Sequence, residues 1–298
     1  MNFVASIILL ALFNNIQTNA FGVTNNNPLS VTSCRVRSTS RSSSRLHSSS
    51  SAPSDVDDSG SSGLLSEEDR NWVETPERLA IKSKLLQLCA SYDRGFGASP
   101  KARNQVQELV DELESMNPTP RDAARGINGG DSTAEDVPLK GIWRMVWTTA
   151  LDVLTLGASP VAVPGAIYQA IDPPIATNII DFIPRVQSLL PISFPPSLLR
   201  AEVKTRTSLR PQNSNRVGLN FEAVKLIPIE LLGVQSSGFL PPFSINFPSI
   251  PLQDLPGVDP SNSPGFFDVT YLDHDMLIIK QNDPGGYFVS IKVDDCDP

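Results

Sequence analysis

Apolar and polar residues alternate with a period of two along Pro138 to Ala150. Successive strand side chains point to opposite faces, so Trp143, Met145 and Trp147 are expected on one side and Ile142, Arg144 and Val146 on the other. The clearest strand is Leu199 to Arg210. Ala201, Val203, Thr205, Thr207 and Leu209 form one face, and Arg200, Glu202, Lys204, Arg206, Ser208 and Arg210 the other. One dry and one wet face is the antiparallel pattern. A turn over Pro211 to Asn215 leads into Arg216 to Leu226, with Val217, Leu219 and Phe221 inward, which predicts a hairpin. Gly165 to Asp172 and Asn178 to Ile183 read as short strands among prolines that exclude any long helix. Phe266 to Leu272, Met276 to Gln281 and Tyr287 to Val293 predict a three-stranded meander.

Upstream the period changes to that of a helix. Thr75-Pro76-Glu77 is a start signal, followed by Ile81, Leu85, Leu88, Cys89 and Tyr92. Ser99-Pro100 repeats it before Val106, Leu109, Val110, Leu113 and Met116, and Asn117-Pro118 ends the run. The stripes predict a helix pair over 75–117 packed on a β body over 138–293. Many short amphipathic strands predict a closed antiparallel barrel or a sandwich. A barrel of about eight strands has room for one small ligand. Met145, Trp147, Val203, Thr205, Thr207, Val217, Leu219 and Phe221 are the candidate lining, apolar enough for a lipid or isoprenoid. Pro241 to Pro264 is a long proline-bearing loop with scattered apolar residues, suited either to a lipid surface or to the barrel wall.

Charge narrows the choice of partner. Residues 1–54 contain four arginines and no acid, leaving 20 basic against 32 acidic residues, a net charge of −12, in the remainder. So acidic a body excludes a nucleic-acid partner and argues against docking on anionic membrane by charge alone. Phe3 to Phe13 is an apolar run of signal-peptide length, with Thr18-Asn19-Ala20 as a cleavage site before Phe21. An acid-free, Ser/Arg-rich stretch follows, then a Ser, Gly and Asp-rich one. These divide the chain into a signal peptide (1–20), a plastid transit-like segment (21–51), a disordered linker (52–71) and one domain (72–298). The order resembles the two-part presequence of algae whose plastids came from secondary endosymbiosis. A secreted protein with a Ser-rich linker is the alternative.

Chemistry-bearing residues are sparse. Cys89 and Cys296 have no metal or redox spacing and read as free thiols. Downstream of residue 47 there is one histidine, His274, between Asp273 and Asp275. Three consecutive ligands on a tight turn do not converge easily on one ion, so the two aspartates are expected to shape the turn. No nucleophile motif or phosphate loop is present, and no cofactor or metal is expected.

Several segments then line up in order. Tyr92-Asp93-Arg94-Gly95, Leu113-Glu114 to Asn117-Pro118-Thr119-Pro120, Leu139-Lys140-Gly141-Ile142-Trp143, Thr148-Thr149 and Asp268 to Asp273, with Thr270, Tyr271 and Asp273, resemble the plastid lipid-associated protein family, also called fibrillins. The resemblance covers about residues 76–293. It implies a mainly β fold, a lipocalin-like antiparallel barrel preceded by two helices, and a non-enzymatic role in the plastid. That role is binding a prenylquinone, tocopherol, carotenoid or other lipid, or coating plastoglobules or thylakoids. Gly141-Ile142-Trp143 also resembles the lipocalin Gly-x-Trp signature. There the tryptophan closes the barrel floor and a basic residue near the last strand crosses its ring. Lys280 is the candidate for that cation; the family usually has arginine there and at Leu277.

Overall fold

Thr75 and Ser99 open the two helices by accepting bonds from the backbone N–H groups of Arg78 and Ala102. The computed structural model of the chain describes residues 73–129, 137–191, 194–210, 213–236, 240–246, 265–282 and 285–296. The signal, transit-like and linker segments, and most of the Pro241–Pro264 loop, lie outside the described residues. Helices α1 (Pro76–Ser91) and α2 (Pro100–Ser115) are followed by β1 (Gly141–Thr148), a one-turn helix α3 (Leu151–Leu154), β2 (Ala162–Asp172), β3 (Ile175–Pro184), β4 (Leu198–Arg210) and β5 (Asn213–Leu231). Two short strands, β6 (Val234–Gln235) and β7 (Phe243–Asn246), flank β5. The meander β8 (Phe266–Leu272), β9 (Met276–Gln281) and β10 (Tyr287–Val293) completes the sheet.

The strands follow the order β4-β3-β2-β1-β10-β9-β8-β5, and β4 pairs with β5 as well. That last pairing closes an eight-stranded antiparallel barrel and removes the open edges a sheet would otherwise present. Strand direction sorts the connections. The turns β2–β3, β4–β5 and β8–β9 lie at one end, the floor. The connections β1–β2, β3–β4 and β9–β10, and the exit from β5, lie at the other, the rim.

The helix pair packs on the outer wall. Ile81, Leu85, Cys89, Val106, Leu109, Val110 and Leu113 meet Trp147, Tyr271, Met276, Ile278, Tyr287 and Val289. Trp147 therefore departs from the expected inward face. Met145 is opposite Ser290, but Trp147 is opposite Val289, a bulge at Val146. The extra residue reverses the alternation. Val146 and Trp147 both turn out under the helices, while Trp143 and Met145 point in. A second bulge, between Val269 and Tyr271, turns Tyr271 out in the same way.

Two turns weld the helices to the barrel. Gly95 sits at φ +101°, and a Cβ there would lie 2.4 Å from the Thr148 carbonyl oxygen. Only glycine lets the chain pass so close with that backbone. Its neighbour Arg94 donates to the carbonyls of Pro164 and Gly165. At the floor, the Asn117 side chain makes four bonds. Its Oδ1 accepts from the N–H of Thr119 (3.0 Å) and Leu272 (3.1 Å), and its Nδ2 donates to the carbonyls of Thr119 (3.0 Å) and Thr270 (2.9 Å). Asn117→Ala removes all four and leaves strand groups unpaired, so it should cost about 2–3 kcal/mol. Asn117→Asp keeps the two acceptances and should cost roughly half as much. Urea unfolding midpoints of the two variants check this; equal midpoints would contradict it.

Candidate functional site

The barrel interior is the first candidate. Met145 on β1, Phe182 on β3, Ala201 and Val203 on β4, and Val224 and Leu226 on β5 form one apolar cluster. β1 and β5 are far apart along the sheet, so only a shared lumen brings these side chains together. A bulge between Phe221 and Ala223 keeps Phe221, Val224 and Leu226 all inward. Leu219 and Phe221 are half-buried. Gln169, which faces Trp143 across the strands, and Asn178, which faces Gln169, are also half-buried although both lie mid-strand. These inward-facing side chains therefore keep some exposure to solvent.

One polar group in this lumen is unspent. Thr205 is fully buried on β4, and its hydroxyl has no hydrogen-bond partner among the described residues. Burying a hydroxyl unpaired costs about 1–3 kcal/mol, so a nearby acceptor or donor on a ligand would be favoured. Of the residues expected to line a cavity, Met145, Val203, Thr205 and Phe221 come together here. Val217 and Leu219 lie lower, with Trp143. Thr207 is taken by the floor, donating from its hydroxyl to the carbonyls of Ile127 (2.7 Å) and Pro174 (3.0 Å). Trp147 is on the far side of the wall.

The floor is built around Trp143. Its indole N–H donates to the Leu139 carbonyl at 2.9 Å, and its ring packs with Ala123, Ala124, Ile127, Val217, Phe267, Val269 and Leu277. The cation over the ring is Lys292, whose Nζ lies 5.3 Å from the ring centroid. Lys280 does not occupy that place. It lies opposite Tyr287 near the rim and pairs with Glu114 of α2 at 2.7 Å. Lys292 is the direct cross-strand partner of Trp143. A Cβ on Gly141 would lie 2.7 Å from the Lys292 Cε, so the signature glycine is what lets the lysine stem cross to the indole.

A buried ionic cluster lies where α1 meets the β8–β9 turn. Lys82, only 3% exposed, donates to Glu74 (2.7 Å), to Asp273 (2.9 Å) and to Asp275. Asp273 also accepts from the Tyr271 hydroxyl and from the N–H groups of Asp275 (3.1 Å) and Met276 (2.8 Å). Burial works against ionising Asp273, but the bonds from Asp275, Tyr271 and Lys82 outweigh it and hold the carboxyl below its usual range. Burial opposes the Lys82 charge too, and the three carboxylates raise its pKa above the ordinary lysine value. Burial and hydrogen bonding to Asp273 push the Tyr271 phenol up. Glu74, Asp273 and Asp275 bring oxygens within 4.8 Å of one another, a spacing suited to a cation, and the cation among them is the Lys82 ammonium. The arrangement clamps a helix to a turn; His274 between the aspartates is exposed.

An open groove of about 430 Å³ runs between α2 and the β9–β10 end of the wall, lined by residues including Arg103, Asn104, Gln107, Lys280 and Tyr287. Its cations are engaged, Arg103 with the Ala98 carbonyl at 3.3 Å and Lys280 with Glu114. Cys89 and Cys296 are both buried thiols, and burial pushes the Cys89 thiol up to about 12, which keeps it protonated and inert.

The PAP_fibrillin family model matches residues 79–291. The chain is 27% identical over 212 residues to plastid-lipid-associated protein 6, chloroplastic, of Arabidopsis thaliana, covering 67% of this chain and 66% of that relative, just under two thirds of its length. It is 28% identical over 268 residues to probable plastid-lipid-associated protein 2, chloroplastic, of the same plant, covering 80% and 78%. It is 26% identical over 255 residues to plastid-lipid-associated protein, chloroplastic, of Citrus unshiu, covering 78% and 74%. No solved structure matches the chain.

Proposed function

The chain belongs to the PAP/fibrillin family, and from that premise we propose that it is a non-enzymatic plastid protein that holds one hydrophobic metabolite in its barrel. The class of ligand is a prenylquinone, tocopherol, carotenoid or similar lipid. The observation that carries the reading is the lumen itself. Apolar side chains from opposite strands surround it, Trp143 closes it below, and the Thr205 hydroxyl waits unpaired inside it. A long apolar molecule with an oxygen at one end fits such a space, its tail against Met145, Val203 and Phe221 and its oxygen at Thr205. The names of the relatives support a chloroplast location and lipid association, and the signal-plus-transit pattern of residues 1–51 supports import into a plastid.

A coat on plastoglobules or thylakoids without an internal ligand is the second reading. It is favoured by the exposed apolar residues of the rim. Purification of the protein from plastid-bearing cells without detergent, followed by extraction and mass spectrometry, separates the two. About one prenyl lipid per chain is expected from the ligand reading; an empty chain supports the coat. Thr205→Val keeps shape and removes the hydroxyl. It should weaken an oxygen-bearing ligand about 2–10-fold while leaving a pure hydrocarbon carotenoid unchanged. Equal affinities in competition assays would remove Thr205 from the site.

A further inference from the structure

The two ends of the barrel differ sharply in charge. The floor carries Arg121, Asp122, Arg125, Lys140, Asp172 and Asp275 on its connections. The rim segments 149–161, 185–197 and 231–246 contain two ionisable side chains, Asp152 and Arg185, neither of which projects a free charge; the β9–β10 connection adds Asp283, and Lys280 beside it pairs with Glu114. Asp152 is buried and accepts from Gln281 at 3.3 Å. Arg185 donates to the carbonyls of Ser159 (3.0 Å) and Gly157 (2.8 Å).

Exposed apolar side chains concentrate at the same end. Leu151 and Val161 come from the β1–β2 connection, Val186 and Leu189 from the β3–β4 connection, and Leu232 and Val234 from the exit of β5. Leu189 is 82% exposed and Leu232 55%. Three connections far apart in sequence thus present an apolar arc along one side of the mouth. Elsewhere, exposed apolar side chains such as Leu79 stand beside charges on α1 and form no such arc. A contiguous apolar end on an otherwise strongly acidic body marks an interaction surface.

We propose that the rim docks the barrel mouth-down on an electrically neutral lipid surface, so that ligand passes between lipid and lumen without crossing water. This rests on the lipid-associated reading above and adds the face and the chemistry of its partner. The choice of a neutral surface follows from charge. Adhesion to anionic lipid takes a cluster of lysine or arginine beside the apolar contact, and the rim offers only Arg185 and Lys280 among the described residues, both already bonded. The body's net negative charge would also repel an anionic surface. Neutral lipid imposes no such penalty, and hydrocarbon burial of the rim leucines supplies the attraction.

The test uses the full chain with vesicles of uncharged galactolipid, and with the same vesicles carrying anionic phosphatidylglycerol. Hydrogen exchange with uncharged vesicles should slow in peptides from 149–161, 185–191 and 231–236, and stay unchanged in the floor turns. The double variant Leu189→Asp/Leu232→Asp, at two exposed sites, should melt as the parent does and partition into vesicles at least about tenfold less. Leu79→Asp on α1 should partition as the parent does. Protection at the floor or on α1, partitioning unaltered by the double variant, or binding that requires anionic lipid would each overturn the inference. So would a dimer dissociated by the double variant while lipid binding persists, because the rim would then cover a second copy. A parent chain that binds no lipid surface in any composition counts against the wider lipid-associated reading as well; binding through another face counts against the rim alone.

Discussion

Lys82→Met should destabilise the fold by about 3–5 kcal/mol, the usual cost of removing one partner from a buried ion pair. The variant keeps the aliphatic stem and deletes the ammonium. Asp273, itself 3% exposed, is then left ionised beside Asp275 without the ammonium, and the remaining cation, Arg78, is held on Glu74 at 3.2 Å. The pH dependence separates this from simple loss of packing. In the parent, the Asp273 carboxyl is held below its unfolded value, so its contribution is present above about pH 4 and is lost as pH falls through the lowered folded value. The Lys82 pKa is raised, so its contribution is complete below the ordinary lysine value near 10.5 and is lost only as pH rises through the higher folded value. In the variant, one of the groups that hold the Asp273 carboxyl down is gone, and its pKa should rise. Its penalty should therefore shrink as pH falls from about 7 towards 4. Melting curves across that range should show the variant recovering part of its deficit on acidification. A constant gap between parent and variant would show that the charge is not what matters.

Trp143→Ala should cost a similar amount, about 3–5 kcal/mol, because it empties a fully buried aromatic site at the floor. The indole also holds the Leu139 carbonyl and supports Ile127, whose own carbonyl receives the Thr207 hydroxyl. Loss of the ring should therefore loosen the floor segment as well as the strands. Trp143→Phe retains most of the packing and should cost less than half as much. Lys292→Met, which keeps the stem over the ring and removes the charge, should cost only about 0.5–1 kcal/mol, the scale of one cation over an aromatic ring at an exposed residue. Guanidinium unfolding of the three variants gives the ranking; a Trp143→Ala protein that unfolds with the parent would remove the tryptophan from the floor.

Much of this architecture is written in local patterns. Thr75-Pro76 and Ser99-Pro100 start helices where the capping chemistry says they must. The alternation in Leu199 to Arg210 gives β4 almost to the residue. What alternation cannot show is a bulge, because one inserted residue leaves local hydrophobicity unchanged while it reverses every position beyond. That is why Trp147 belongs to the helix–wall core and not to the lumen. The cation over Trp143 was recoverable from topology. The last strand of the closed barrel runs to the floor beside the start of β1, and Lys292, not Lys280, is the lysine at that end. Lys82 had a quieter signal. Arg78, Lys82, Leu85 and Cys89 share one helix face by their spacing of four, three and four, so a charged residue on the stripe needed a buried partner. Its partners lie 191 and 193 residues away on a turn, which only the tertiary fold brings near.

The most direct test of a ligand-holding barrel is a titration read by Trp143 alone. In a Trp72→Phe/Trp147→Phe chain, Trp143 is the remaining indole, placed at the base of the lumen. Addition of prenylquinones, tocopherols and carotenoids should quench it saturably for at least one of them, with an end point near one ligand per chain. An absence of saturable quenching by every class, in a variant that still folds, would contradict a filled barrel.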